Sequence, residues 1–164
     1  MRTVPAALLP AAACLWIVIL VLVPFALARG VFPLGTAATY QSASILCHQK
    51  FERSFTVAKM QMPVCARCFG LYLAGGVGAL AAFGFARRRP APVVPVARIA
   101  LAVTALPVLL SVGLEWSAVM EGSNVSRFAS ALPLGLSAGW LLQRTVIGPV
   151  TRTERPDALS FRRT

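Results

Sequence analysis

The sequence predicts an all-α integral membrane bundle of four transmembrane helices, with a short interfacial helix in its first outward connection. Three observations lead there. Of 164 residues, 57% are apolar and only 13% charged, and the mean hydropathy is +0.73, too oily for a water-soluble domain of this size. Four stretches, roughly residues 5–28, 64–86, 96–120 and 128–147, each hold the about 20 mostly apolar residues that a hydrocarbon core requires. Most of the arginines flank those stretches, and no aromatic-interleaved basic face accompanies them, although sixteen Lys and Arg stand against five Asp and Glu. That pattern excludes nucleic acid and names the lipid bilayer as the partner, with protein partners left open. Residues 1–150 then form one four-helix domain, and 151–164 a disordered cytoplasmic tail too poor in apolar residues to fold.

The first stretch imitates a signal peptide, since Arg2 precedes it and "FALA" closes it before Arg29. It carries no charge from Thr3 to Ala28, far longer than the about 7–15 residues of a cleavable core, which predicts an uncleaved spanning helix. "PAAAC" before Cys14 follows too short an apolar run for a lipoprotein site, so Cys14 is assigned to packing. The connection that follows is uncharged from Gly30 to Gln49, and Gln41, Ser44 and His48 recur at one-face helical spacing. A helix at the membrane surface from about Thr36 to Cys47 would deliver Cys47 and His48 there. "KFERSFTVAKMQMP" reads as a charged connection, and Pro63 suits the start of the second span. Pro24 and Pro107 predict kinks in the first and third spans. Before the fourth, Glu121 and Asn124 read as loop and helix-cap residues. Gly75 with Ala79, and Ala131, Gly135 and Gly139, form small-residue faces for close helix packing.

Charge sets the expected orientation. Arg2, Arg87, Arg88, Arg89, Arg98, Arg144, Arg152, Arg155, Arg162 and Arg163 fall on one side, ten positive residues against six on the other. The positive-inside rule places both termini in the cytoplasm and the first connection outward, across a bacterial inner membrane.

The chemistry-bearing residues crowd that outward end. Three of four cysteines, Cys47, Cys65 and Cys68, and the sole histidine, His48, lie within one short segment. Cys65 and Cys68 are three apart, on one face of a helical first turn where the dipole and Arg67 favour thiolate. Cys47, His48, Cys65 and Cys68 together make a donor set suited to a transition metal, zinc first. Adjacent residues reach one ion only if the backbone turns between them, so His48 is alternatively a proton-transfer or supporting group. The same thiols suit disulfide exchange, because a C-x-x-C motif serves both chemistries. A carboxylate within a span costs about 2.5–3.5 kcal/mol on insertion scales, which makes Glu115 the other informative residue. Thr104, Ser111 and Glu115 form one polar stripe that should face the bundle interior. Arg127 and Arg67 are its candidate partners, and with Arg53 they complete the expected polar cluster.

"CHQKFERSF" and "MPVCARCFGLYLAG" resemble the signature of a bacterial membrane-protein family known as the domain of unknown function numbered two thousand and eighty-five. By position the resemblance falls on Cys47, His48, Gln49, Arg53, Ser54, Pro63, Cys65, Arg67, Cys68, Gly70 and Tyr72, and extends more loosely through Glu115, Asn124, Arg127 and Gly135. Phe69 stands where threonine is usual, and Ser111 where many members carry aspartate. The family implies no activity. Three readings follow: a metal-binding membrane protein, a thiol-disulfide oxidoreductase using Cys65 and Cys68, and a structural or transporter subunit without chemistry of its own. Catalytic residues and enzyme status stay open.

Overall fold

The computed structural model describes residues 3–85 and 94–147. Arg2, the triple arginine at 87–89 and the tail 151–164 lie outside the described residues. The elements in chain order are α1 (Thr3–Ala28), α2 (Pro33–Ser44), a single 3-10 turn (Phe51–Arg53), β1 (Ser54–Val57), β2 (Met60–Cys65), α3 (Ala66–Phe85), α4 (Val94–Trp116) and α5 (Asn124–Ile147).

Among the described residues, three helices are long and apolar enough to cross a membrane: Ala6–Ala28 within α1, Ala66–Phe85 and Val94–Trp116. The fourth expected span is present as the helix α5, four residues earlier at its start than expected, but it is more polar and buries Arg127, Gln143 and Arg144. Its packing supplies the reason. α5 touches α1, α3 and α4, so its polar residues face protein, not lipid. Gln143, fully buried, donates to the carbonyl of Ala6 at 2.6 Å.

Among the described residues, the α3–α5 contact is the most extensive. Small residues permit it: a Cβ at Gly139 would fall on the Gly75 carbonyl, and one at Gly78 on the Leu136 carbonyl. Backbones this close gain dispersion and polar contacts that bulkier residues would forbid. α4 is different. None of its residues is buried, and its polar stripe provides its specific links inward, beginning with Thr104 Oγ1 and Ser137 Oγ at 2.7 Å.

Helix ends follow from local chemistry. α1 stops where Gly30 takes a left-handed φ of 64°, with Gly30 N–H donating to Leu27 and Val31 N–H to Ala26, the Schellman arrangement. α4 ends the same way around Ala118, φ 54°, with Val119 N–H on the Leu114 carbonyl. This stop leaves Glu115 in the last turn. Helices α1, α4 and α5 stay helical through Pro10, Pro24, Pro107 and Pro133.

The connection after Gln49 departs from expectation most. It contains an antiparallel hairpin, with Val57 opposite Met60 and Thr56 opposite Gln61, so the fold is not purely helical. Ala58 and Lys59 both have positive φ, 50° and 64°, as a two-residue turn matched to strand twist requires. Pro63 therefore lies in a strand and α3 begins three residues later. The register shifts between Ser54 and Thr56, and such an irregularity accommodates a proline that cannot donate to the ladder. Three rings clamp the hairpin down: Phe55 of β1 stands 6.4 Å from Phe69 of α3 and 6.0 Å from Phe128 of α5. The atypical Phe69 thus serves packing. The interfacial segment expected over 36–47 is α2, displaced three residues toward the N-terminus.

Candidate functional site

The β2–α3 junction sets the sulfur geometry. Cys65 is the last residue of β2 and Cys68 lies in the first turn of α3, so the two thiols straddle a strand-to-helix turn instead of sharing one helix face. Cys47 arrives from the segment after α2. Among the described residues the Sγ atoms of Cys47, Cys65 and Cys68 lie within 4.8 Å of one another, and all three are free thiols. Leu20, Ala43 and Val64 pack with Cys47 in a buried cluster, joined by Trp16, Phe69 and Tyr72. Cys14 is a fourth free thiol, on α1, outside this group.

Glutamine side chains hold the Cys47 segment in place. Gln49 Nε2 donates to the carbonyls of Tyr40 and Pro63, each at 2.7 Å. Gln61 Nε2 returns the link to the Gln49 carbonyl at 2.6 Å and reaches Ser54 Oγ at 3.2 Å. The Tyr40 hydroxyl donates to the Gln61 carbonyl, and burial pushes its pKa up. Gln49 itself sits at a left-handed φ of 46°. The chain turns sharply there, after a buried Cys47 and an exposed His48. His48 is not part of the three-sulfur group, although it lines the same cavity.

The surroundings of Cys47 favour its thiolate form. Hydrogen bonds from the Cys65 and Cys68 thiols, together with the backbone N–H groups of Cys65 and Gln49, depress its pKa far below the ordinary thiol range, against the opposing pull of burial. The Cys65 amide donates at 3.1 Å. Three thiols converging with one negative charge already present can ligate a soft or borderline cation, or attack a disulfide.

The second cluster lies against the same cavity. Glu115 Oε1 accepts from Arg67 Nη2 at 2.5 Å and from Arg127 Nε at 3.1 Å, with the Glu115 side chain only 6% exposed. Arg67 Nη2 also donates to Ser111 Oγ at 2.9 Å. Thus Thr104, Ser111 and Glu115, the polar stripe, all turn inward. Arg127 extends the network to the Glu52 carbonyl and to Asn124 Oδ1. Asn124 in turn donates to the Ser54 carbonyl at 2.9 Å, tying α5 to the hairpin. It does not act as the helix cap: that is Ser123, whose Oγ accepts from the Ser126 amide at 3.1 Å. Arg53 makes no ion pair with Glu115, but it lines the shared cavity.

That cavity has a volume of about 400 Å³ and is bordered by the three cysteines and by Arg67, Glu115 and Arg127. The sulfur group and the ion-pair cluster therefore open into one space. Sequence reasoning missed Gln61 and the linking role of Asn124, because both act through backbone carbonyls of a hairpin that periodicity did not reveal. Trp116 on the cavity edge was likewise unmarked.

Residues 47–141 match the family described as predicted membrane protein, DUF2085, and the chain belongs to it. It is similar to an uncharacterized protein of Methanothermobacter thermautotrophicus, 31% identical over 91 residues that cover 56% of this chain and 78% of that protein. An uncharacterized protein of Methanocaldococcus jannaschii, MJ1492, is 49% identical over 39 residues, 24% of this chain and 25% of the relative. No solved structure matches.

Proposed function

We propose that this member of the predicted membrane protein family binds one thiophilic metal ion, zinc first, on Cys47, Cys65 and Cys68 at the outward end of its bundle. The observation that carries the reading is the convergence of three free sulfurs within 4.8 Å. Zinc–sulfur bonds of 2.3 Å in tetrahedral geometry place sulfurs about 3.8 Å apart, so a contraction of about 1 Å or less suffices. Charge supports it too. Three thiolates around a divalent ion carry one net negative charge, the same as Cys47 thiolate beside two neutral thiols, so the neighbouring arginines meet an unchanged balance. His48 on the cavity rim is the candidate fourth donor as neutral imidazole. The outward placement rests on the ten-to-six division of positive residues.

Elemental analysis of detergent-purified protein tests this. About one equivalent of metal per chain is expected, lost in Cys65→Ser and Cys68→Ser and kept in Cys14→Ser. Folded protein with unmodified cysteines that takes up no zinc overturns it.

The free, neighbouring Cys65 and Cys68 thiols support a second reading, a membrane thiol-disulfide oxidoreductase. Here the Cys65 and Cys68 dithiol passes two electrons to a substrate disulfide, giving two substrate thiols and a Cys65–Cys68 disulfide. Differential alkylation would trap that disulfide in metal-free protein. Thiols that never oxidise in the presence of a substrate disulfide would remove this alternative.

A further inference from the structure

Away from the sulfurs, the cavity lining combines two accessible cations with an apolar lip. Lys50 and Arg53 line it from the two ends of the 3-10 turn, whose closing hydrogen bond, Arg53 N–H to the Lys50 carbonyl at 3.1 Å, draws those ends together. Among the described residues neither side chain makes an ion pair. Glu115 is spent on Arg67 and Arg127, and Glu52 and Glu121, which border an adjoining cavity with Arg53, do not pair with it. The apolar part of the lining is Leu46, Val112 and Trp116. Leu46 is 77% and Trp116 84% exposed, and Phe51, between the two cations in sequence, is 67% exposed.

Trp116 is the last residue of a helix apolar enough to cross the membrane, so the cavity lies where hydrocarbon gives way to headgroups, the usual level of a tryptophan in a membrane protein. An occupant must be apolar where it meets Leu46, Val112 and Trp116, and anionic where it meets Lys50 and Arg53. A soluble anion leaves the apolar lip uncovered. A zwitterionic phospholipid brings an ammonium of its own to two cations. An anionic phospholipid matches both parts of the lining. We propose that the mouth of this cavity binds one anionic phospholipid, with its phosphate at Lys50 and Arg53 and its acyl chains running out along Leu46, Val112 and Trp116. The volume of about 400 Å³ is at the lower end of the roughly 300–1,000 Å³ of small-ligand sites, room for a headgroup whose chains stay in the bilayer. The site goes beyond metal binding and needs neither an ion nor a particular state of the sulfurs.

Titration of phosphatidylglycerol or phosphatidylcholine into the full chain in a mild detergent, read by native mass spectrometry, tests it. About one phosphatidylglycerol per chain should bind in preference to phosphatidylcholine. Lys50→Ala combined with Arg53→Ala, at exposed and half-exposed positions, should weaken phosphatidylglycerol about tenfold to thirtyfold, on a scale of about fivefold per cation at a lipid surface. Trp116→Ala should weaken both lipids several-fold with the headgroup preference retained. Arg29→Ala combined with Lys59→Ala removes the same charge from two exposed residues that do not line the cavity, and should change nothing. Equal weakening by the two double variants overturns the proposal, because it marks general attraction to a basic chain, and so does equal affinity of the wild type for the two lipids. A lipid-free dimer that Trp116→Ala dissociates would name a second copy of the chain as the occupant and likewise overturn it. Metal content of the Lys50 and Arg53 double variant should match the wild type, so failure of the lipid site and failure of the metal reading are told apart.

Discussion

The amide of Cys65 points its hydrogen at the Sγ of Cys47 across 3.1 Å, joining the last residue of β2 to a residue eighteen positions earlier. The Cys65 and Cys68 thiols contribute most to lowering the Cys47 pKa, and this backbone donor, which cannot rotate away, adds to them. Metal-free protein should therefore keep one alkylation-reactive thiol per chain at about pH 6, well below the about 8.5 of an ordinary thiol. Mass spectrometry after limited iodoacetamide treatment should find the label on Cys47; labelling that tracks an unfolded peptide would contradict the geometry.

The same shift sets a pH dependence of stability. A thiol whose folded pKa lies below its unfolded value stabilises fully above the unfolded pKa and loses that contribution as pH falls toward the folded one. Unfolding free energy of the metal-free protein should rise between about pH 6 and 8.5, by at most about 1.4 kcal/mol per pH unit, and Cys47→Ser should flatten the slope. Denaturant titrations at several pH values in one detergent would show it.

The Gln49 side chain positions the segment without touching the sulfurs. Gln49→Ala strands the Tyr40 and Pro63 carbonyls that it now satisfies, at a cost of about 1–3 kcal/mol for each that stays buried. Metal affinity should fall about 10–100-fold, as for other supports of a ligand shell, with Cys65 and Cys68 intact. Competition against a chromophoric chelator would measure it; unchanged affinity would make the glutamine incidental.

Glu115→Ala leaves two largely buried guanidinium groups without their shared counter-charge, and should cost about 3–5 kcal/mol. Because the pair is shielded, raising salt should recover little of it. Thermal unfolding at low and high ionic strength distinguishes this from a surface pair, which would lose about 1 kcal/mol or less.

Glycines of α3 and α5 are not equivalent. Gly139→Ala would drive a methyl into the Gly75 backbone, whereas a Cβ at Gly84 meets nothing within 4 Å. The first should destabilise by about 1–3 kcal/mol and the second be neutral or favourable by up to about 1 kcal/mol. Comparable melting temperatures for both variants would refute the close approach of the two helices.

Apolar length exposed three helices to sequence reading, and the polar stripe on α4 gave the direction in which Glu115 faces. The remainder was hidden for physical reasons. β1 and β2 are four and six residues long, and "VAKM" carries none of the Asn-Gly chemistry that marks a tight turn, since Ala58 and Lys59 accept left-handed backbone there. Missing the hairpin put Cys65 on the helix, when the strand carries it to Cys47 from a different direction. The polarity of α5 was legible in Arg127, Gln143 and Arg144, but only its neighbours explain why those residues are tolerated. The Cys-His pairing suggested two adjacent ligands; a left-handed Gln49 accompanies one buried and one exposed side chain.

Apart from the Glu115 side chain, helix α4 buries little of its twenty-three residues against the rest of the chain, so the surrounding acyl chains complete its tertiary structure. Harsh delipidation should peel this helix away while the α3–α5 pair remains intact. What would be lost first is the wall that bears Glu115, and with it the enclosure around the sulfurs. The choice of detergent thus decides whether a purified sample retains its chemistry at all.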